Sequence, residues 1–330
     1  MTRFEHEEAT IDALAARMAS GETSAVALAN AYLDRIARLD RAGPTLRAVI
    51  ELNPDAMAIA EERDRERKAG RVRGPLHGIP ILVKDNIATG DRMSTTAGSL
   101  GLDGVRAPHD APLVARLREA GAVILGKANL SEWANFRSTR STSGWSGRGG
   151  QTRNPYALDR NPSGSSSGSG AAIAANLAAA AIGTETDGSI VSPASSNGLV
   201  GIKPTLGLVS RSGIVPIAHS QDTAGPMTRT VADAAVILAA IAGADPEDAA
   251  TREADSKRQR DYAPFLDAAG LKGARLGVVR TRLFGNNAAA DAIAERAIEV
   301  MKQQGATIVD PANIVTLGKF DDSEFEVLLF

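Results

Sequence analysis

Three short segments of the 330-residue chain hold side chains whose types and spacing suit chemistry on a carbonyl carbon. In GIPILVKDNI, Lys84 ends an apolar run; burying an ammonium there is costly, so the pKa of this lysine should fall. A second segment, residues 163–170, consists only of serine and glycine. In the third, GTETDGSI, Ser189 lies in a glycine-containing turn whose consecutive N–H groups can point at a developing oxyanion.

The serine- and glycine-rich run is consistent with either a flexible linker or a loop that shapes a backbone site. A linker normally joins two domains, but this run leads directly into AAIAANLAAAAIGTE, a helix of small residues that can pack closely against a sheet. The run lacks the lysine of a phosphate-binding loop and the glycine spacing of a dinucleotide fingerprint. These features favour the loop.

A nucleophile elbow is one alternative for the same run. The sequence GSSSG at 164–168 matches the GxSxG pattern, which would make Ser166 the nucleophile of an α/β-hydrolase. His219 and Asp222 would complete that triad. However, the match is weak in so serine-rich a stretch, and no clear strand precedes Gly164, where an elbow requires one.

Composition excludes several classes of function. Lys plus Arg number 37 and Asp plus Glu 39, so the net charge of -2 predicts no nucleic-acid and no membrane partner. The chain contains no cysteine, which excludes disulfides, thiolate metal sites and a cysteine nucleophile. The four histidines are scattered singly, so we predict neither a metal nor a cofactor.

The chain carries no targeting signal that the sequence reveals. No stretch approaches the roughly 18 consecutive apolar residues of a membrane span, and the acidic N-terminus lacks the apolar core of a signal peptide. As written, the chain is expected to be cytoplasmic; it would be exported if a signal peptide had been removed from a precursor.

The elements that must position these segments follow from hydrophobic periodicity. The first seventy residues predict a helical layer, and short apolar runs then alternate with helical patterns. This alternation indicates an α/β domain with a largely parallel or mixed sheet between helical layers. The predicted strands are 79–84, 122–127, 199–203 and 274–280, and the predicted helices are 111–120, 170–181, 231–242 and 287–304.

Two regions stand outside this alternation. Residues 137–169 form an irregular stretch longer than the ~12 to 15 residues of most structureless connections, which predicts a functional or disordered loop. At the other end, DDSEFEVLLF begins like a capped helix and stops at Phe330 without a capping residue. We therefore expect the chain to be truncated there.

The order of the motifs resembles the amidase signature family. GxPxxxKDN, the Gly/Ser loop, GTxTxGS 24 residues after Ser165 and GLVGIKPTLGLVSRSG occur in succession. Four segments resemble the peptide amidases of that family: GTETDGSI, SQDTAGPMTRTVADAA, NLSEWANFR and GWSGRGGQTRNPY. The resemblance runs from about residue 10 to the last residue.

That resemblance implies a fold with three α/β/α layers and a mixed central sheet flanked by helices. It makes residues 1–330 a single amidase signature domain, with 1–70 as an N-terminal helical layer and 71–330 as an α/β core. Family members continue for well over a hundred further residues, so the core would be truncated at its C-terminus.

The resemblance also assigns roles to individual residues. Ser189 would be the acyl-forming nucleophile, Ser165 a bridging serine preceded by a cis peptide bond, and Lys84 the terminal base. The N–H groups of the oxyanion site would come from Thr186, Asp187 and Gly188. For Lys84 to be neutral near pH 7, its pKa must drop by about 3 units from ~10.4, or roughly 4 kcal/mol.

The implied activity is removal of the C-terminal amide from peptides by a serine-dependent amide hydrolase, without a cofactor. The wider family has Gly and Arg where this chain has Asp187 and Val191, a departure that bears on the choice of substrate. Alternatives are hydrolysis of glutamine, aryl amides or fatty acyl amides. A further alternative is an inactive fragment that needs a complementing C-terminal chain.

Overall fold

The computed structural model describes residues 4–329, and the chain divides into two units, Met1–Asp261 and Tyr262–Phe330. Residues 1–3 and 330 of the predicted 1–330 domain lie outside the described residues. The helices are α1 Ile11–Ser20, α2 Ala25–Ile36, α3 Ala56–Lys68, α4 Pro112–Glu119, α5 Ser167–Ala174, α6 Val191–Ser196, α7 Val231–Ile241, α8 Ala254–Lys257, α9 Ala288–Gln303 and α10 Asp321–Leu329.

The strands are β1 Val49–Leu52, β2 Pro80–Lys84, β3 Val123–Ala128, β4 Trp145–Ser146, β5 Gly150–Gln151, β6 Ala180–Glu185, β7 Val200–Gly201, β8 Thr223–Thr228, β9 Arg275–Gly277 and β10 Thr307–Val309. One π-helical turn spans Ala37–Arg41, and 3₁₀ turns span Leu100–Leu102, Glu132–Asn135, Ala249–Thr251 and Ala263–Phe265.

Six strands of the first unit form one mixed sheet, in the order β1-β3-β2-β6-β8-β7. The pairs β2–β3 and β2–β6 are parallel, and the pairs involving β1, β7 and β8 are antiparallel. Every residue of β2, β3, β6 and β8 is buried, as expected for strands covered by helices on both faces. The predicted α/β class with a mixed central sheet is confirmed.

The first two helices of the N-terminal layer are capped and amphipathic. Thr10 and Ser24 cap α1 and α2 by accepting hydrogen bonds from Ala13 N and Ala27 N. Their apolar faces are buried: Ile11, Leu14 and Met18 on α1, and Leu28, Tyr32 and Ile36 on α2.

The prediction of an entirely helical first seventy residues is wrong at one place. Strand β1 lies between α2 and α3, where it pairs antiparallel with β3 as an edge of the sheet. Its four residues are too few to establish a period of two, so the surrounding helical pattern concealed it.

Most of the other predicted elements are present, with shifted bounds. The predicted strands at 79–84 and 122–127 are β2 and β3, and those at 199–203 and 274–280 are the shorter β7 and β9. The predicted helix at 170–181 is wrong at its C-terminal end. Helix α5 ends at Ala174, Asn176 has a φ of 56°, and the alanine-rich segment that follows becomes the buried strand β6. Burial in the sheet overrides the helix propensity of alanine there.

The second unit is built around a β9-α9-β10 segment, in which β9 and β10 pair in parallel. Asn287 caps α9 by accepting from Ala289 N and Ala290 N. The last helix, α10, begins at Asp321, where the sequence pattern predicts it. In the part of the chain that the structure describes, no helix combines the length and apolarity that a membrane crossing requires.

Candidate active site

Lys84 is the last residue of β2, and its side chain is fully buried. Its Nζ donates hydrogen bonds to Ser165 Oγ at 2.8 Å, to Thr184 Oγ1 at 2.8 Å and to the Thr184 carbonyl at 3.2 Å. All three partners are uncharged, so the hydrogen bonds orient the amine without an ion pair to hold its proton.

Burial lowers the pKa of Lys84 to about 7, against the opposing influence of the Glu185 and Asp222 carboxylates. Near neutral pH a large fraction of this amine is therefore unprotonated and able to accept a proton. The direction of this shift is the one that the strand-end position in the sequence predicts.

Ser165 lies in the Gly/Ser loop just before α5 and is fully buried. The peptide bond between Gly164 and Ser165 is cis, as the family resemblance implies. The Ser165 carbonyl accepts from Ser131 N at 3.0 Å, which ties the loop to the segment after β3. The linker interpretation is excluded, because the loop is buried and hydrogen-bonded on both sides.

Ser166, the elbow candidate, is tied to β6 by two hydrogen bonds. Its Oγ donates to the Thr184 carbonyl at 3.0 Å and accepts from Thr184 N at 3.2 Å. Ser167 and Ser169 also donate to backbone carbonyls, those of Ser163 at 2.7 Å and Ile182 at 3.0 Å. These hydroxyls serve the packing of the loop, and the strand that an elbow needs does not precede Gly164: β5 ends at Gln151.

Ser189 lies in the turn between β6 and α6 and is 4% exposed. Its carbonyl accepts from Ser166 N at 3.1 Å, which sets the Ser189 turn against the loop that holds Ser165. Gly188 adopts a φ of 77°, a conformation that favours glycine. The structure thus joins Lys84 to Ser165 by side chains, and the Ser165 loop to Ser189 by the backbone.

The Glu185 carboxylate organises this turn. Its Oε2 accepts from Ile190 N at 2.7 Å and from Val191 N at 2.9 Å, the first free N–H groups of α6. Glu185 is buried, and its chain position immediately precedes the predicted oxyanion residues. It therefore fixes the backbone on both sides of Ser189.

The three predicted oxyanion residues occupy different environments. Thr186 Oγ1 donates to Asp222 Oδ1 at 2.5 Å, Asp187 is exposed, and the Gly188 carbonyl accepts from Ser192 N at 2.8 Å. The same carboxylate of Asp222 accepts from Ile217 N at 2.9 Å through its other oxygen. Asp222 thus braces the turn that leads to Ser189.

The alternative triad is not assembled. Among the described residues, the hydrogen bonds of the Asp222 carboxylate go to Thr186 and to the backbone of Ile217 and Ala218, and none goes to the His219 ring. The His219 carbonyl accepts from Arg211. Ser166, His219 and Asp222 therefore do not form the relay that an α/β-hydrolase uses.

A pocket of about 100 Å³ lies beside Thr184, between the ends of β2 and β6 and the segment 211–223. Asn86 and Thr184, which line it, are functional candidates that sequence reasoning missed. Asn86 Nδ2 donates to Thr184 Oγ1 at 3.0 Å, the atom that also accepts from Lys84. Thr184 is a polar residue near the end of an otherwise apolar strand, and that feature of the sequence could have identified it as a candidate.

The sequence predicts that the chain binds no metal, and the arrangement of the His, Asp and Glu side chains bears on this prediction. Within residues 4–329, no group of three or more His, Asp or Glu side chains is arranged to hold a metal ion.

Comparison with known proteins gives the following matches. The sequence model described as Amidase matches residues 27–319. The chain is 55% identical to the native peptide amidase from Stenotrophomonas maltophilia, whose X-ray structure superposes with a TM-score of 0.92 over 99% of this chain and 68% of that one. It is 47% identical to a protein of Arabidopsis thaliana named Probable amidase, over 99% of this chain and 63% of that protein.

A third relative is a glutamyl-tRNA(Gln) amidotransferase subunit of Chloroflexus aurantiacus, 42% identical over 94% of this chain and 61% of that protein. The chain spans between half and two thirds of the length of the first curated relatives it matches, from 51% to 63%.

Proposed function

Because this chain belongs to the amidase family, we propose that it hydrolyses primary carboxamides through an acyl-enzyme on Ser189. The observation that carries the proposal is the buried contact between Lys84 Nζ and Ser165 Oγ, 2.8 Å long, in a chain that has no cysteine and no assembled histidine triad. A hydroxyl nucleophile needs a base within hydrogen-bond reach, and a neutral amine acting through a second hydroxyl supplies one.

In the proposed reaction, Ser189 Oγ attacks the carboxamide carbon. Its proton passes to Ser165 Oγ as the proton of Ser165 passes to Lys84 Nζ. Backbone N–H groups of Thr186, Asp187 and Gly188 stabilise the negative charge that develops on the carbonyl oxygen. The relay then returns the proton to the nitrogen, the C–N bond breaks, and ammonia leaves.

The second half of the reaction uses the same groups. Water attacks the acyl-enzyme, its proton passes through Ser165 to Lys84, and the ester bond to Ser189 breaks as the proton returns to the serine oxygen. The product is a carboxylic acid. Lys84 ends the cycle neutral, as it began.

The substrate that we propose is the C-terminal amide of a peptide. The 55% identity to a peptide amidase supports this choice over glutamine, since the identity to the amidotransferase protein is 42%. Aryl amides and fatty acyl amides remain the competing substrates in the family.

Ammonia release from a dipeptide amide, compared with release from glutamine and from a long-chain acyl amide, tests both parts of the proposal. Ser189→Ala should reduce the rate by about 10³-fold or more. Ser192→Ala is the matched control, because Ser192 is exposed and, within residues 4–329, its hydroxyl is hydrogen-bonded to that of Ser163. Equal loss in both variants would contradict the assignment.

Labelling with a serine-directed phosphonate, followed by peptide mapping, identifies the nucleophile independently. We expect modification at Ser189. Modification at Ser166 would reverse the assignment in favour of the elbow. Assaying the chain by itself, with its mass measured under native conditions, also determines whether a second chain is required.

A further inference from the structure

Helix α6 begins two residues after Ser189 and is tied at both ends to the loop that holds Ser165. On its N-terminal side, the Ser189 carbonyl accepts from Ser166 N at 3.1 Å. At its C-terminal end Asn197, the residue that follows the helix, donates from Nδ2 to the Pro162 carbonyl at 2.9 Å. The two hydrogen bonds therefore attach to the loop on either side of Ser165.

The side chain of Asn197 is fully buried, and its amide nitrogen serves two carbonyls. Besides the Pro162 oxygen, Nδ2 donates to the Pro193 carbonyl within α6 at 2.7 Å. Within residues 4–329 its Oδ1 has no hydrogen-bond partner, so the two contacts of the nitrogen set the orientation of the side chain. An uncharged nitrogen with two donors is a property of a side-chain amide, which a carboxylate or an apolar side chain of similar size lacks.

The surfaces that Asn197 joins are packed closely. A Cβ on Gly170 of α5 would lie 3.0 Å from Asn197 Nδ2 and 3.1 Å from the Pro193 carbonyl oxygen, nearer than ordinary van der Waals contact. Interiors packed at this density transmit a displacement and do not absorb it. The position of the Asn197 amide is therefore coupled to that of α6 and of the loop.

Helix α6 connects Asn197 to the Ser189 turn as one unit. At its start, Ile190 N is held by the Glu185 carboxylate at 2.7 Å. At its end, Asn197 N donates to the Ala194 carbonyl at 3.2 Å. Because the helix is restrained at both ends, a shift of Asn197 relative to the loop would be passed along the backbone to Ser189.

The loop between the two hydrogen bonds needs such a restraint. Ser163 adopts a φ of 63°, a left-handed conformation that is costly for a residue with a Cβ and persists where surrounding contacts enforce it. The Pro162 carbonyl belongs to the peptide plane whose rotation sets this angle, and Asn197 holds that carbonyl. The hydroxyl contact between Ser163 and Ser192 is exposed, so water can replace it. The buried amide is thus the stronger restraint.

We propose that Asn197 is a positioning residue, which holds the Ser165 loop against the Ser189 turn so that the two hydroxyls stay aligned for proton transfer. The consequence for catalysis rests on the proposed acyl-enzyme reaction. In the described part of the chain, the hydrogen bonds of the Asn197 side chain go to Pro162 and Pro193, and none goes to the three relay side chains. Its loss should therefore disturb the alignment and leave the base unchanged.

Asn197→Leu removes both donors at nearly constant volume and tests this role. The kcat for a dipeptide amide should fall about 30-fold, because misalignment of reacting groups slows the chemical step, and KM should stay within about twofold. The pH midpoint of kcat/KM should stay within a few tenths of a pH unit of the parent value, since Lys84 keeps its contacts. Asn197→Ser keeps one donor and should lose about fivefold in kcat, which gives a milder variant for the same measurement.

Asn53→Leu is the matched control. Asn53 is also buried, and its Nδ2 donates to the Ile124 carbonyl at 2.8 Å, at the end of β1. This variant should lose thermal stability as Asn197→Leu does but keep kcat within about twofold. Thermal unfolding establishes that each variant is folded at the assay temperature. An equal loss of kcat in the Asn53 and Asn197 variants would overturn the positioning role.

Hydrogen exchange of the Ser166 amide tests the positioning without a substrate. This N–H donates to the Ser189 carbonyl, so removal of the second restraint should speed its exchange at least tenfold in Asn197→Leu and leave it within about twofold in Asn53→Leu. Faster exchange in a chain that releases no ammonia from any amide supports the positioning and contradicts the proposed hydrolysis. Unchanged exchange and unchanged kcat in an active Asn197→Leu enzyme overturn the positioning and leave the hydrolysis standing.

Discussion

Two buried lysines lie at the ends of the neighbouring strands β2 and β3, and the groups around their amines differ. Lys84 closes β2 and Lys127 lies at the end of β3, and both side chains are fully buried. Lys84 Nζ contacts hydroxyls and a carbonyl of Ser165 and Thr184. Lys127 Nζ donates to the Ile87 carbonyl at 2.5 Å and to Thr95 Oγ1 at 3.1 Å, near the buried carboxylate of Asp85.

The two lysines are proposed to have different roles: Lys84 is the base, and Lys127 compensates the buried carboxylate of Asp85. Burial lowers both pKa values, and nearby carboxylates oppose the shift in each case: Glu185 and Asp222 for Lys84, whose pKa is about 7, and Asp85 foremost for Lys127, whose pKa is about 8. Asp85 is committed to structure: its Oδ2 accepts from Thr96 and from Gly98 N at 3.1 Å. Burial raises the pKa of Asp85, which Lys127 opposes, and Lys127 in turn keeps its proton to a higher pH than Lys84, whose hydrogen-bond partners are all neutral.

The largest expected effect that tests this comparison is on activity. Lys84→Met removes the proposed base and should lower kcat/KM for a dipeptide amide by about 10³-fold or more. At pH 7 its effect on stability should be within about 1 kcal/mol, because replacing a buried ionisable group by an apolar one of similar volume is often neutral. Steady-state ammonia release and denaturant unfolding measure the two quantities.

Lys127→Met is the matched variant and should show the opposite pattern for stability. Removing this ammonium takes away the larger of the two cationic influences on the buried Asp85 carboxylate and leaves Arg148, whose Nη1 lies 3.9 Å from Asp85 Oδ1, which should lower the free energy of unfolding by about 3 kcal/mol. The double variant Lys127→Met/Asp85→Asn should recover part of that loss. Denaturant unfolding of the three proteins at pH 7 measures both effects, and equal stability of Lys127→Met and the parent would refute the structural role.

The local sequence pattern does not show which of these two lysines is the proposed base. ILVK and ILGK both read as apolar strands that end in lysine, and the strand prediction includes each of them in the same way. Only the motif order, compared with a family, selects Lys84. The discriminating feature is the carboxylate of Asp85, which lies beside Lys84 in the chain but interacts with Lys127 in the fold.

The sequence predicts some of the other residues of the site and not others. The roles of Ser165, Ser189 and Lys84 follow from the family resemblance, and burial at a strand end predicts only that the pKa of Lys84 is lowered. The contacts of Thr184 and Glu185 were not predictable, since they join β6 to residues that are distant in the sequence, such as Lys84 and Asn86, or depend on the local path of the turn to Ile190. Likewise, the pocket needs the segment 211–223 beside β6, a long-range contact that no local pattern specifies.

The smallest expected effect, about tenfold per pH unit, concerns the titration of Lys84. Since the neutral amine is the proposed base, kcat/KM should rise about tenfold per pH unit below pH 7 and level off above pH 8. The Lys127→Met variant, assayed where it is folded, should keep the same midpoint within a few tenths of a pH unit. A midpoint that moves with Lys127 would mean that the two amines titrate together.

The titration of Lys84 should also make the free energy of unfolding depend on pH, and the direction of that dependence follows from the shift in its pKa. The folded-state pKa of Lys84 lies below its unfolded value near ~10.4, so the unfolded chain binds more protons between pH 7 and pH 10. The free energy of unfolding should therefore gain up to about 1.4 kcal/mol per pH unit from Lys84 in this window, and Lys84→Met should remove that slope. Lys127→Met should remove a slope that begins only above pH 8. Urea unfolding of both variants from pH 6 to pH 10 thus measures, without any substrate, which lysine gives up its proton at the lower pH.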